Sequence, residues 1–208
     1  MKKNAKAFLE RNRWLKAVPN SLTLCNSLCG FAAIINTLRV CDPAQPFSGV
    51  SCPSILATSA ILILFAMVFD ALDGFAARIL NAASMHGIQM DSLADMVTFG
   101  VAPATLVVIM TRSLPGYDGR FFYIVWALAA VYLGGAALRL ATYNVHAMVE
   151  KKSSDKFSGL PSPGAAAGIC TTVIYYNHLG MEIRHLAVIL PIYCALLGIL
   201  MVSKIQYT

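Results

Sequence analysis

Charge is what this sequence has least of. Of its 208 residues only 12% are Asp, Glu, Lys or Arg, while 58% are hydrophobic; a soluble domain carries roughly a quarter charged residues. An ordinary water-soluble domain is thereby excluded, and most of the surface must meet hydrocarbon. Histidine is also rare, with four in the chain, and His86, His146, His178 and His185 form no ligand cluster. The six cysteines invite a metal reading, and Cys25 and Cys29 are spaced as a ligand pair could be. Cys25 and Cys29 lie in an apolar run and Cys170 and Cys194 stand alone, all read as small packing residues. Cys41 and Cys52 fall in one predicted outer loop, where an oxidising compartment would permit a disulfide. The amino-terminal region reads as a retained first span rather than a cleavable leader: the basic stretch Lys2, Lys3, Lys6, Arg11, Arg13, Lys16 is followed by an apolar run reaching toward Arg39, longer than a secretory signal core.

What is present is a series of apolar stretches near the ~20 residues a helix needs to cross a bilayer. They predict an all-α, polytopic transmembrane helix bundle of about six spans, near 21–40, 54–79, 91–112, 121–143, 163–180 and 185–203. Pro19-Asn20, Asp42-Pro43, Cys52-Pro53 and Leu114-Pro115-Gly116 mark the exits. Residues 1–19 read as a basic cytoplasmic arm, lying on an anionic leaflet or simply anchoring the first span, and 20–208 as the transmembrane catalytic domain. With the amino terminus inside, twelve of the 16 basic residues face the cytoplasm, leaving Arg39, Arg112, Arg120 and Arg184 outside. Both termini are then cytoplasmic. Topology and anionic lipid account for the basic excess, so no nucleic-acid partner is required.

Acidic residues number ten, and four of them, Asp70, Asp73, Asp91 and Asp95, sit in or beside the second and third apolar stretches. Ionisable groups at membrane depth are expensive and turn away from lipid. Asp70, Asp73, Gly74 and Ala77 share one helix face, and Gly87, Asp91 and Asp95 another. An antiparallel hairpin turning near Asn81–Gly87 would make the faces meet. Four carboxylates together need compensating charge, and all-oxygen ligands suit Mg²⁺ or Mn²⁺. Gly74 and Ala77 leave the face bare enough for a diphosphate to approach the backbone, and Arg78 offers a guanidinium. Arg139 and Asn144 are polar groups at the cytoplasmic end of the fourth span, suited to a carboxylate.

Written out, Asp70-x2-Asp73-Gly74-x2-Ala77-Arg78-x8-Gly87-x3-Asp91-x3-Asp95 resembles the CDP-alcohol phosphatidyltransferase motif at every defined position. The flanks Pro19-Asn20-Ser21-Leu22-Thr23, Thr98-Phe99-Gly100-Val101-Ala102-Pro103-Ala104, Arg139-Leu140-Ala141-Thr142-Tyr143-Asn144 and Phe157-Ser158-Gly159-Leu160-Pro161-Ser162-Pro163 are similar to those of its bacterial, integral-membrane phosphatidylserine synthase branch. The resemblance implies transfer of a phosphatidyl group from CDP-diacylglycerol to L-serine with release of CMP, in phospholipid biosynthesis. It implies Asp70, Asp73 and Asp91 as ligands of two Mg²⁺ or Mn²⁺ ions, and Asp95 as general base that also touches metal. Asn20, Thr23, Gly74, Ala77, Arg78 and Gly87 would hold the CDP-lipid, and Arg139 and Asn144 the acceptor. It further implies a homodimer in the cell inner membrane, among membrane lipids, with its site cytoplasmic.

Two other readings compete. A sister enzyme would use glycerol 3-phosphate or an inositol phosphate, whose phosphate calls for an extra basic pocket such as Arg139 with Lys151, Lys152 and Lys156. A cation transporter would bind its cargo at the aspartates, but the acidic pattern is not repeated in the second half of the chain. Gly134-Gly135-Ala136-Ala137 and Gly164-Ala165-Ala166-Ala167-Gly168 predict close helix packing, within the bundle or between copies.

Overall fold

The computed structural model describes residues 13–41, 51–80, 84–112, 119–149, 159–180 and 183–203, and every regular element among them is helical. Helix α1 is Arg13–Leu38, closed by a 3-10 turn at Arg39–Cys41, and α2 is Cys52–Ile79. Helix α3, Met85–Asp95, continues through a π-helical stretch, Met96–Val101, into α4, Ala102–Arg112. Then come α5, Gly119–Val149, α6, Ser162–His178, and α7, Ile183–Val202. Among the described residues, five stretches are long and apolar enough to cross a membrane, with α3 to α4 counting as one. The chain is a polytopic helical membrane protein, as hydropathy predicts. The remaining expected span, α6, has 17 residues, about 25 Å of helix against a hydrocarbon core of roughly 30 Å.

Two expectations change. The third membrane helix starts at Met85 rather than 91, because Ser84 caps it: Ser84 Oγ accepts from the Gly87 amide at 3.0 Å. Helix α1 runs unbroken from Arg13 through Pro19; residues 1–12 of the expected arm lie outside the described residues. The Cys41–Cys52 bridge is not formed, and all six cysteines are free thiols. Cys41 ends the 3-10 turn and Cys52 opens α2, so each thiol is placed by its own helix end.

Helix α1 shows why the bundle assembles. Leu24, Leu28, Phe31, Ile35 and Leu38 are exposed, while Thr23, Asn26, Ala33 and Thr37 are buried. Both sets follow helical spacing, so the large apolar side chains face lipid and the small and polar ones face protein. Helix α1 packs most extensively on α2, and α5 on α7. The third membrane helix is the most enclosed, 61% buried over its apolar window, and touches all the others. Its α4 half is apolar all round, as a central helix must be.

The π-helical stretch has an identifiable cause. A helical residue normally donates its N–H to the carbonyl four positions back, but Pro103 has no N–H, which leaves the Phe99 carbonyl without its partner. The backbone widens, and the Ala102 amide reaches back to the Val97 carbonyl. The orphaned Phe99 carbonyl, buried where no water reaches it, accepts from the Tyr132 hydroxyl of α5 at 2.7 Å. Both residues are fully buried. The same stretch meets α1 at Gly30, where a methyl group would stand 2.8 Å from Thr98 Cα.

Adjacent glycines in α5 have opposite surroundings. A Cβ on Gly135 would lie 3.0 Å from Gly198 Cα and overlap the Gly198 carbonyl, whereas one on Gly134 meets nothing within 4 Å. Gly135→Ala is expected to destabilise the bundle by about 1–3 kcal/mol through overpacking of α5 on α7. Gly134→Ala is expected to leave stability unchanged or slightly raised, by the higher helix propensity of alanine. Thermal unfolding of the two variants in the same detergent checks the pair.

A candidate metal centre of aspartates

The functional side chains come from the ends of α1, α2, α3 and α5. On α2, Asp73 is 5% exposed, and Asp70, Gly74 and Ala77 are half-buried. Val68, Leu72, Phe75 and Ile79 occupy the lipid-facing side. On α3, Asp95 is 9% exposed while Leu93, two positions earlier, is 70% exposed. The carboxylates therefore take the protein-facing stripes that their spacing assigns.

Asp70, Asp91 and Asp95 each bring a carboxylate oxygen to within 4.8 Å of the other two. The dimensions suit a small hard cation, since oxygens on opposite sides of Mg²⁺ are about 4.2 Å apart. Charge requires one too. Two ionised carboxylates 4.8 Å apart repel by about 3.5 kcal/mol at an effective dielectric of ~20, and three such pairs by about 10. Asp73 Oδ2 and Asp91 Oδ1 are buried without a hydrogen-bond partner, as acceptors reserved for a cation or a donor would be. The residues present thus fit a divalent metal. Asp73 does not join the three-carboxylate group; it lies beside it, across a cavity that it shares with Asp91.

That cavity, about 110 Å³, is lined by Asn20 and Thr23 of α1, Asp73, Gly74 and Ala77 of α2, and Gly87 and Asp91 of α3, among others. Helices α2 and α3 are not a closely packed hairpin; α1 packs against both, and the gap between them is the cavity. Gly87 is held tightly: a methyl group there would lie 3.2 Å from Ser84 Oγ and 3.7 Å from Asn20 Oδ1. Gly74 faces open space, with nothing within 4 Å of an added Cβ. Arg78 differs from its neighbours: it is exposed and does not line the cavity.

The polar pair of α5 lies on the Asp95 side. The Ser92 hydroxyl donates to Asn144 Oδ1 at 2.8 Å, tying α3 to α5. Arg139 Nη1 donates to Ser162 Oγ at 3.3 Å, its Nε is buried and unpartnered, and its charge is felt at Asp95.

Comparison with known proteins identifies the family. A family model described as CDP-alcohol phosphatidyltransferase matches residues 16–201. The chain belongs to the CDP-alcohol phosphatidyltransferase family. Among curated relatives, the CDP-diacylglycerol–serine O-phosphatidyltransferase of Helicobacter pylori is 36% identical over 148 residues, 70% of this chain and 58% of that protein. The protein of the same name from Bacillus subtilis is 34% identical over 191 residues, covering 91% of this chain and 89% of that one. An archaetidylserine synthase from Methanothermobacter thermautotrophicus is 31% identical over 195 residues, 92% of this chain and 69% of its own. The chain therefore spans little more than half the length of the Helicobacter relative.

Sequence reasoning about this phosphatidyltransferase family member missed Asn26, whose Nδ2 donates to Asp95 Oδ1 at 3.2 Å, along with Ser84, Ile88, Ser92 and Ser162. Asn26 had a legible signal, an amide in an apolar run one helical turn from Thr23. Ser92 and Ser162 had none, because their partners lie on another helix, whereas Ser84 caps its own helix. Asp91→Asn is expected to weaken Mn²⁺ binding at least 10- to 100-fold, the loss usual for removing even an outer-sphere partner, and Asp73→Asn by less. Titration of the purified protein by Mn²⁺ electron paramagnetic resonance distinguishes the two.

Proposed function

We propose that this chain transfers the phosphatidyl group of CDP-diacylglycerol to the hydroxyl of L-serine, releasing CMP, as an enzyme of phospholipid synthesis. The observation that carries this reading is the convergence of Asp70, Asp91 and Asp95 within 4.8 Å, beside a cavity walled by Gly74, Ala77 and Gly87, in a member of this family. Serine is favoured as acceptor because it is in the names of the Helicobacter, Bacillus and Methanothermobacter relatives alike.

Asp70, Asp91 and Asp95 would hold one Mg²⁺ or Mn²⁺ ion, and Asp73 with Asp91 a second. Such ions, when bound, neutralise the diphosphate and the charge that develops on departing CMP. The chain's own residues do the rest. Gly74, Ala77 and Gly87 present backbone rather than side chain to the diphosphate, and Asn20 and Thr23 supply polar groups from α1. Arg78, exposed at the end of α2, meets phosphate oxygens from outside the cavity. Arg139, with an unused buried Nε–H, and Asn144 receive the serine carboxylate. Asp95 takes the proton from the serine hydroxyl as its oxygen bonds to the phosphorus of the phosphatidyl group. The bond from that phosphorus to the bridging oxygen breaks, and CMP leaves with the electron pair.

The excess of basic residues on one side supports a site and both termini at the cytoplasmic face of the inner membrane, where serine is dissolved. The CDP-lipid then stays in the leaflet, its head group reaching the cavity and its acyl chains among the surrounding lipids. The family resemblance favours a homodimer.

The test is CMP release from CDP-diacylglycerol by the purified protein with Mg²⁺ or Mn²⁺, offering serine, glycerol 3-phosphate or inositol phosphate. Release with serine alone is expected, and an Asp95→Asn variant is expected to lose at least 10²-fold in turnover, the lower range for a general base. Release with another alcohol only would reassign the acceptor. No release with any of the three would remove the enzyme reading.

A further inference from the structure

Asn26 lies on the inward stripe of α1 and is completely buried. Its Nδ2 donates to Asp95 Oδ1 at 3.2 Å, across 69 positions of sequence. A carboxylate oxygen accepts, so this contact fixes which end of the amide is nitrogen. The other end, Oδ1, is buried and has no hydrogen-bond partner. A buried acceptor without a donor destabilises a fold, and a leucine of the same branched shape would remove that orphan at the expense of the bond to Asp95. As a packing element, then, the amide is worse than an apolar side chain. What it does that leucine cannot is hold Asp95.

The backbone behind the amide is pinned independently. The Thr98 hydroxyl donates to the Asn26 carbonyl at 3.1 Å, and Gly30, one turn on, lets α1 close against Thr98. Helix α1 therefore sits at a fixed distance from the π-helical stretch that follows Asp95. The amide bridges that distance and sets the rotation of the carboxylate, engaging one oxygen by hydrogen bond.

We infer that Asn26 is a positioning residue for Asp95: it orients the carboxylate toward Asp70 and Asp91, so that metal affinity and turnover both depend on an amide that touches neither metal nor substrate. The inference rests on the reading of Asp95 as ligand and base. It follows the general behaviour of groups that orient a ligand from behind, whose loss typically lowers metal affinity or activity 10- to 100-fold.

The test uses the full chain purified in detergent, with Asn26→Leu and Thr98→Val, and three measurements: Mn²⁺ affinity by electron paramagnetic resonance without substrate, kcat and KM for CMP release, and thermal unfolding. Asn26→Leu removes one orphaned acceptor but orphans another, Asp95 Oδ1, and is expected to unfold within a few degrees of the wild-type temperature. Its Mn²⁺ affinity and kcat should fall about 10- to 100-fold, with KM for CDP-diacylglycerol within about twofold of wild type. Thr98→Val, which loosens the packing but leaves the amide, is expected to unfold at lower temperature with affinity and kcat within about twofold. Should Asn26→Leu fail to fold, Asn26→Ala is measured in its place, with the same losses expected. Wild-type affinity and kcat in the Asn26 variant would overturn the inference, as would equal losses in Thr98→Val. A wild-type protein that binds Mn²⁺ but releases no CMP with any alcohol defeats the activity reading alone, and the Mn²⁺ affinities then decide the positioning role.

Discussion

Everything in this bundle is arranged around the mutual repulsion of carboxylates held at membrane depth. Water would screen them at the surface; here helices enclose them, and three oxygens approach within 4.8 Å. The fold keeps them there by attaching two to a helix that cannot move. Helix α3 and its π-helical continuation lie in the most buried span, wedged between α1 and α5. Asp70 and Asp73 approach from α2 across a gap that α1 bridges. The gap provides room for a ligand without separating the charges.

The π-helical stretch shows how one residue type propagates into a site. Pro103 removes a donor, Phe99 is left with a free carbonyl, and the Tyr132 hydroxyl answers it from α5. In lipid an unanswered carbonyl costs several kcal/mol, so the Tyr132 contact also determines how α5 sits on the central helix. Arg139 and Asn144, further along α5, come to the Asp95 side as a result. A backbone irregularity one turn past the aspartates thus helps to place side chains on a different helix.

How much of this was legible in sequence depended on the range of each interaction. Periodicity within a helix was readable: the stripes of α2 and α3 that carry the four aspartates. Local caps were readable in principle, and the Ser84 cap explains the earlier start of α3. Contacts between helices were not. The loosely opposed α2 and α3, in place of a packed hairpin, follow from α1 packing on both. The outward position of Arg78 follows from its neighbour Ala77 taking the cavity face. Asn26 was passed over because an amide in an apolar run is also the ordinary means of joining helices, and only its partner gives it a different meaning.

The polar stripe of α1 also constrains the order of assembly during synthesis. Thr23 and Thr37 donate to carbonyls one turn back in their own helix, at 3.0 and 2.8 Å, so both are satisfied as soon as α1 forms. Asn26 finds its acceptor 69 positions later. When the first two spans enter the bilayer, its amide has no such partner and the acidic centre has only its α2 half. The third span completes both at once. A nascent chain would thus be unable to concentrate divalent cations at this centre until the helix that locks its architecture has arrived.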